Sequence, residues 1–259
     1  MGISIPFQRV LPILLIASLL SGCAASAATP QMTETIPSTT TEPTVEAVPL
    51  ETLTPTSEPA STSTPPLAIT ATSLANAMKA DMQKLANEKL VSSPYGKYYR
   101  VQDFTGEYAK LAYYRWWSLD RQPTNFAIRA VVTWDSAMPN ANPSKAGCGF
   151  VFHETGVDNL HFSLLTMDGY VRNYRVEKKI FNDLKANYAG KFKIPADSAK
   201  IMLVVNYQWI TIFVNDKQIV RFQDDHLKGG GLGFGVASGS NNDFGTRCEF
   251  TNVELWEFN

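Results

Sequence analysis

Two imidazoles and a run of aromatic residues are the parts of this chain best equipped for chemistry. Cys148 to His153 and Leu160 to Thr166 read as strands joined across 154–159, and pairing them brings His153 beside His161. Alternation sends both imidazoles to one face with Val151 and Ser163, and sends Phe150, Phe152, Phe162 and Leu164 to the core. Two neighbouring imidazoles suit a sugar hydroxyl or a metal ion; a solvated polar face is the plainer reading. No third metal ligand is visible in the pattern, so no cofactor is expected, and calcium has no loop motif behind it. In Tyr113-Tyr114-Arg115-Trp116-Trp117, alternation groups Arg115 and Trp117 with Tyr113, opposite Tyr114 and Trp116. One set packs inside. The other is free to stack on the C–H face of a sugar ring while Arg, Asn or His takes the hydroxyls. Tyr207 and Trp209 offer the same chemistry. The candidate ligand-binding residues are therefore Arg115, Trp117, His153, His161, Tyr207 and Trp209.

Catalytic motifs are missing by contrast. The chain has no Gly-x-Ser-x-Gly elbow and no His-Glu-x-x-His. Asp224-Asp225 falls in a loop, and Glu254 and Glu257 stand on one strand at a spacing that alternation sends to opposite faces.

These side chains need a sheet to position them. Ile201 to Gly235 reads as strand, strand, turn, strand, loop, strand, with β-branched and aromatic residues in the strands and polar or glycine-rich residues between them. From Tyr98 onward the same pattern gives strands over 98–104, 109–117, 126–134, 148–153, 160–166, 170–175, 199–206, 209–214, 218–222, 231–238 and 247–258. Turn signals at Gln122-Pro123, Asp168-Gly169 and Asn215-Asp216 separate them. Many short strands without alternating helices predict an all-β, antiparallel β-sandwich.

WITIFVNDKQIVRF, GGGLGFGVAS and CEFTNVELWEF together resemble the concanavalin A-like lectin/glucanase jelly roll, with its laminin G-like and 3-keto-disaccharide hydrolase-like relatives, over residues 95–259. Those families commonly write the turn as N-G and the last strand with F-D-N-V. Here the turn is Asn215-Asp216, and the last strand carries Phe250-Thr251-Asn252-Val253 without the Asp. The resemblance implies a jelly roll. Its glycosidases use a Glu-x-Asp-x-Glu strand, which places acid/base and nucleophile about 5 Å apart, and this chain has no such triplet.

The amino-terminal part has a different character. Arg9, the apolar run Val10 to Leu20 and then Leu20-Ser21-Gly22-Cys23 resemble the signal and lipobox of bacterial lipoproteins, which implies a signal peptide over 1–22 and a lipid-modified Cys23. Residues 23–72 form a disordered linker rich in Ser, Thr and Pro that carries five Glu and no Lys or Arg. Residues 73–94 hold an amphipathic helix from an N-cap at Ser73 to about Leu90, with Leu74, Met78, Met82 and Leu85 on one side. It docks on the domain, extends the stalk or meets a partner. With Cys23 lipidated, Cys148 and Cys248 remain as a disulfide pair. Of 23 basic and 24 acidic side chains, one basic and five acidic ones precede the helix. The folded part is thus near neutral and lacks the basic stripe that nucleic-acid binding needs.

The combined expectation is a lipid-anchored, extracytoplasmic surface protein whose sandwich binds a glycan or polysaccharide without catalysis. A glycosidase of the 3-keto-disaccharide hydrolase-like type and a structural or protein-interaction module are the alternatives. The oligomeric state has no signature in the sequence.

Overall fold

The computed structural model describes residues 71–259. The expected signal peptide, Cys23 and nearly all of the linker lie outside the described residues. One helix, α1 (Ala71–Asn87), precedes thirteen strands: β1 (Gly96–Arg100), β2 (Phe104–Tyr108), β3 (Tyr113–Arg121), β4 (Phe126–Ser136), β5 (Gly147–Glu154), β6 (Asn159–Thr166), β7 (Tyr170–Glu177), β8 (Ile180–Tyr188), β9 (Asp197–Asn206), β10 (Trp209–Val214), β11 (Lys217–Gln223), β12 (Gly231–Ser238) and β13 (Thr246–Phe258).

The strands form two antiparallel sheets. One has seven strands in the order β1-β13-β4-β9-β10-β11, with β2 also paired to β13; the other has six in the order β3-β12-β5-β6-β7-β8. Their inner faces enclose one core, with Phe126, Ile128 and Trp134 from the first sheet and Phe150, Phe152 and Phe234 from the second among its fully buried side chains. This is the sandwich that the strand pattern predicts. The Cys148–Cys248 disulfide joins β5 to β13, one strand from each sheet.

Four local features depart from the sequence reading. The expected strand over 98–104 is two strands, because β13 is long enough to serve both. β1 pairs with Phe258 to Glu254 and β2 with Phe250 to Thr246, on either side of a register shift between Thr251 and Glu254. Asn252 takes a positive φ of 53° at that shift. The strand expected over 109–117 begins later, at Tyr113. β8 is an additional strand, reached from β7 through Lys178 and Lys179, both at positive φ. Ser73 lies within α1 rather than at its cap.

Asn215 and Asp216 both take positive φ, 49° and 63°, as a two-residue hairpin turn requires. Of the three readings of the helix, docking is the one observed. Met78, Met82 and Leu85 are buried against Ala127, Val204, Phe213 and Trp256 on the outer face of the seven-stranded sheet. A partly buried ion-pair cluster reinforces the contact: Arg129 Nε donates to the buried Glu254 Oε2 at 2.6 Å, and Arg129 also pairs with the half-exposed Asp81 of the helix. The helix thus occupies the outer face of one sheet and leaves that of the other to solvent.

Candidate functional site

The six-stranded sheet is apolar on both faces, and its outer face carries a second, smaller cluster. Register places Phe162 between Val151 and Tyr174, and Leu164 between Gly149 and Arg172, on that side. Across β12, Gly235 stands between Gly149 and Trp116, and Ala237 between Gly147 and Tyr114. The glycines keep the surface low: a Cβ on Gly235 would lie 2.8 Å from the Phe162 ring, so glycine there lets that ring lie against β12. Val151, Leu160, Phe162, Leu164 and Val176 form the floor, with Tyr114, Trp116 and Tyr174 half-buried at the margins.

A cleft of about 380 Å³ opens over this floor, lined by Tyr114, Phe162, Thr166, Tyr174, Phe181 and Asp183, with Lys145 at one end. Its aromatics are mutually braced: Tyr114 meets Phe162 edge-on at 4.2 Å between centroids, and Tyr174 lies 4.8 Å from Phe181. Such contacts fix ring orientation. Phe181 remains 48% exposed, so an apolar ring face is presented to solvent. Burial raises the pKa of both Tyr114 and Tyr174, which keeps their hydroxyls protonated at neutral pH. Beside Thr166, Arg172 donates to one Asp168 oxygen at 2.5 Å and the Thr166 hydroxyl donates to the other at 2.6 Å. Asp183 is the one carboxylate among the described residues lining the cleft.

The two imidazoles are adjacent, but by a different register and in different surroundings from those expected. The register pairs Phe152 with His161 and Phe150 with Ser163, so His161 and Ser163 share the inner face, while Phe162 and Leu164 share the outer face with Val151. The predicted facing of β6 is therefore reversed. His153 rejoins His161 through a bulge. Between Gly231 and Gly233 β5 spends one residue more than β12, and His153 takes a φ of 52°. The two Nδ1 atoms lie 3.3 Å apart, and the residues are 2% and 1% exposed rather than solvated.

Behind them lies a chain of charges. His161 Nε2 is 3.6 Å from Asp224 Oδ1, and Asp224 also pairs with Arg175 and accepts from the His226 backbone N–H at 3.0 Å. Burial pushes the Asp224 carboxyl up, but His161, the His226 amide and Arg175 together outweigh it and hold the pKa at about 2. His153 is lowered to about 4, first by burial and then by its neighbour His161, against a smaller upward pull from the Thr124 backbone and Asp224.

The six predicted ligand residues do not form one site. Arg115 and Trp117 lie on the same side of β3, opposite Val236 and Phe234, but only Trp117 packs against the core, and Arg115 stays exposed beyond it. Trp117 packs on Phe104 at 5.2 Å, and Arg115 lies over its ring at 5.1 Å. Tyr114 and Trp116 lie on the opposite, outer side and are half-buried there, because β12 presents core residues to alternate positions of β3. Trp209 is on the other sheet beneath Arg221, 4.3 Å from the ring centroid. Tyr207, 65% exposed, and His153 do come together, around a separate cavity at the end of the sandwich. Phe181 and Tyr174 were not singled out from the sequence; a strand period in Ile180 to Tyr188, broken by charged residues, is the signal that carries Phe181, and Tyr174 stands in the strand expected over 170–175. Among the described residues no group of three or more His, Cys, Asp or Glu is arranged to hold a metal ion.

The fold and this face define an all-β sandwich domain with an open aromatic cleft. No protein-family model matches the chain, and no curated protein matches it. Solved structures similar to it include the carbohydrate binding module CBM66 from Bacillus subtilis, at 10% identity over 61% of this chain and 94% of that one, with a TM-score of 0.46. A fructosyltransferase from A. japonicus matches at 12% identity over 67% of this chain but only 28% of its own, with a TM-score of 0.44. The carbohydrate recognition domain of Emp47p matches at 12% identity over 61% of this chain and 89% of that one, with a TM-score of 0.41. At such identities these are likenesses of the sandwich, not of any site.

Proposed function

We propose that this chain binds carbohydrate, non-catalytically, in the cleft on the outer face of the six-stranded sheet. The observation that carries the reading is the pairing of exposed and half-exposed ring faces at Phe181, Tyr113, Tyr174 and Tyr114 with polar groups at Asp183 and Lys145. Sugar rings present C–H faces to aromatics and hydroxyls to polar edges, which is the division of labour this cleft offers. Recognition is favoured over hydrolysis because glycosidic cleavage needs two convergent carboxyl groups. Asp183 stands without a second free carboxylate, since Asp168 is held by Arg172 and Thr166.

The same reading takes the chain to be a lipoprotein, modified on Cys23 and displayed outside the cytoplasm on its Ser/Thr/Pro-rich linker. A lipobox cysteine after a short apolar run supports this. Radiolabelled palmitate entering the wild-type chain and not Cys23→Ala is the expected result; equal labelling of both refutes it.

The test of the binding reading is a glycan array probed with the full chain in detergent, followed by titration of the best binder. Phe181→Ala and Tyr114→Ala should each weaken binding about ten-fold, equivalent to about 1.4 kcal/mol, with Trp209→Ala unchanged. Release of a reducing end transfers the cleft to the hydrolase class. Binding that survives both cleft substitutions removes the assignment.

A further inference from the structure

The outermost strands of the six-stranded sheet, β3 and β8, would stand about 24 Å apart if the sheet were flat. Their side chains nevertheless meet: the Tyr114 ring on β3 and the Phe181 ring on β8 are 5.9 Å apart between centroids. The outer face is therefore strongly concave, and its two edge strands curl towards each other. Between them Gly235 of β12 pairs with Gly149 of β5, so no side chain from these positions keeps the rings apart. Tyr114 reaches across to Phe162 of β6, and Phe181 meets Tyr174 of β7. The four rings form one continuous barrier across the face, with the buried Phe162 at its foot.

This barrier gives the cleft a direction. Because β3 and β8 curl together, the hollow between them runs along the strands, with Tyr113 on one rim and Asp183 on the other. From the rings it extends over Ala237, Leu164 and Thr166 to Ser144 and the exposed Lys145. On the far side of the rings, Trp116, Leu160 and Val176 belong to the same outer cluster but do not line the cleft. Trp116 stands behind Tyr114, 6.1 Å away. A groove that holds the interior of a polymer is open at both ends, so that the chain enters at one and leaves at the other. Here one end stops on aromatic rings. The volume of about 380 Å³ is also at the small end of the roughly 300–1,000 Å³ typical of ligand pockets.

We propose that the cleft receives the end of a glycan chain rather than an internal stretch, with the terminal sugar ring against Tyr114 and Phe181 and the rest of the chain leaving past Lys145. The proposal rests on the cleft being the glycan site.

The test is isothermal titration of the full chain in detergent with trisaccharides and with long, size-fractionated linear chains of α-1,4-glucan, β-1,3-glucan and β-2,1-fructan. In any series that binds, short and long chains should each take up one protein per chain with the same affinity per chain, since lengthening adds no further terminus. Trp116→Ala should change the two affinities by the same factor. Several protein molecules per long chain, an affinity per chain that climbs with length, or a loss in Trp116→Ala confined to long chains overturns end recognition. If Phe181→Ala still weakens that binding, the cleft itself stands as the glycan site. Binding by none of the three series overturns the proposal together with the reading beneath it.

Discussion

His153 is the residue at which folding and protonation are most tightly linked. Its imidazole is held at a pKa of about 4, whereas an unfolded histidine titrates near 6.5. Between these values the unfolded chain binds a proton that the folded chain excludes, so this contribution to stability is complete above about pH 6.5 and is lost as pH falls towards 4. The difference corresponds to about 3 kcal/mol for so buried a ring. Asp224 acts in the same direction at lower pH: its depressed pKa of about 2 protects the fold above the ordinary carboxylate range and ceases to do so as pH falls through 2. Urea unfolding between pH 7.5 and 4.5 should therefore show a decline that largely disappears in His153→Asn, since Asn does not titrate and tolerates the positive φ at this bulge. Parallel declines in both proteins contradict the assignment. Plain alternation in the sequence places the two histidines side by side, whereas their contact depends on the bulge at His153, which the residue pattern does not signal. Their face was not legible either, because GCGFVFHE and NLHFSLLT are apolar on both sides and a one-residue change of register reverses every side chain without disturbing the pattern. The same ambiguity explains why Trp117, rather than Trp116, looked available.

The element least visible in the sequence is β8, and the reason is its turn. Asn-Gly or Asp-Gly signals a two-residue hairpin, whereas Lys178-Lys179 signals nothing, yet both lysines adopt positive φ, 51° and 69°. Left-handed backbone costs an ordinary residue roughly 1–2 kcal/mol. Replacing the pair by Asn-Gly should therefore stabilise the domain by about 1 kcal/mol or more in denaturant unfolding, and also firm the strand that presents Phe181 to the cleft. A loss of stability means that the lysine side chains matter more than their backbone. Helix α1 makes the opposite point: its three- and four-residue spacing was plain in the sequence, but only packing chooses between a docked helix and a stalk. Met82, fully buried between helix and sheet, is the probe of that docking. Met82→Ala should cost about 2–5 kcal/mol and open the segment around Lys79 and Lys84 to trypsin. If protection and stability both persist, the helix contributes little to the fold.

At the scale of the molecule, the sandwich depends on keeping two sheets face to face, and one covalent bond spans them. Cys148 lies in β5 of the six-stranded sheet and Cys248 in β13 of the seven-stranded sheet, both fully buried beside Phe150 and Phe250. The bond closes a loop of 100 residues, and in the chain-entropy account such a closure removes about 4.7 kcal/mol of freedom from the unfolded chain. β12 and β13 follow almost every other strand in sequence and pair with strands formed far earlier, so the unfolded chain has much freedom to lose. Cys148→Ala with Cys248→Ala should lower the unfolding free energy by about 4–5 kcal/mol, equivalent to a midpoint lower by roughly 10–20 °C for a domain of this size. The glycan affinity of the remaining folded molecules should be unchanged, because the cleft lies on the outer face of the sheet whose inner face holds the bond. A double variant as stable as the parent, measured by urea unfolding at pH 7.5, would mean that interlocking side chains alone hold the two sheets together.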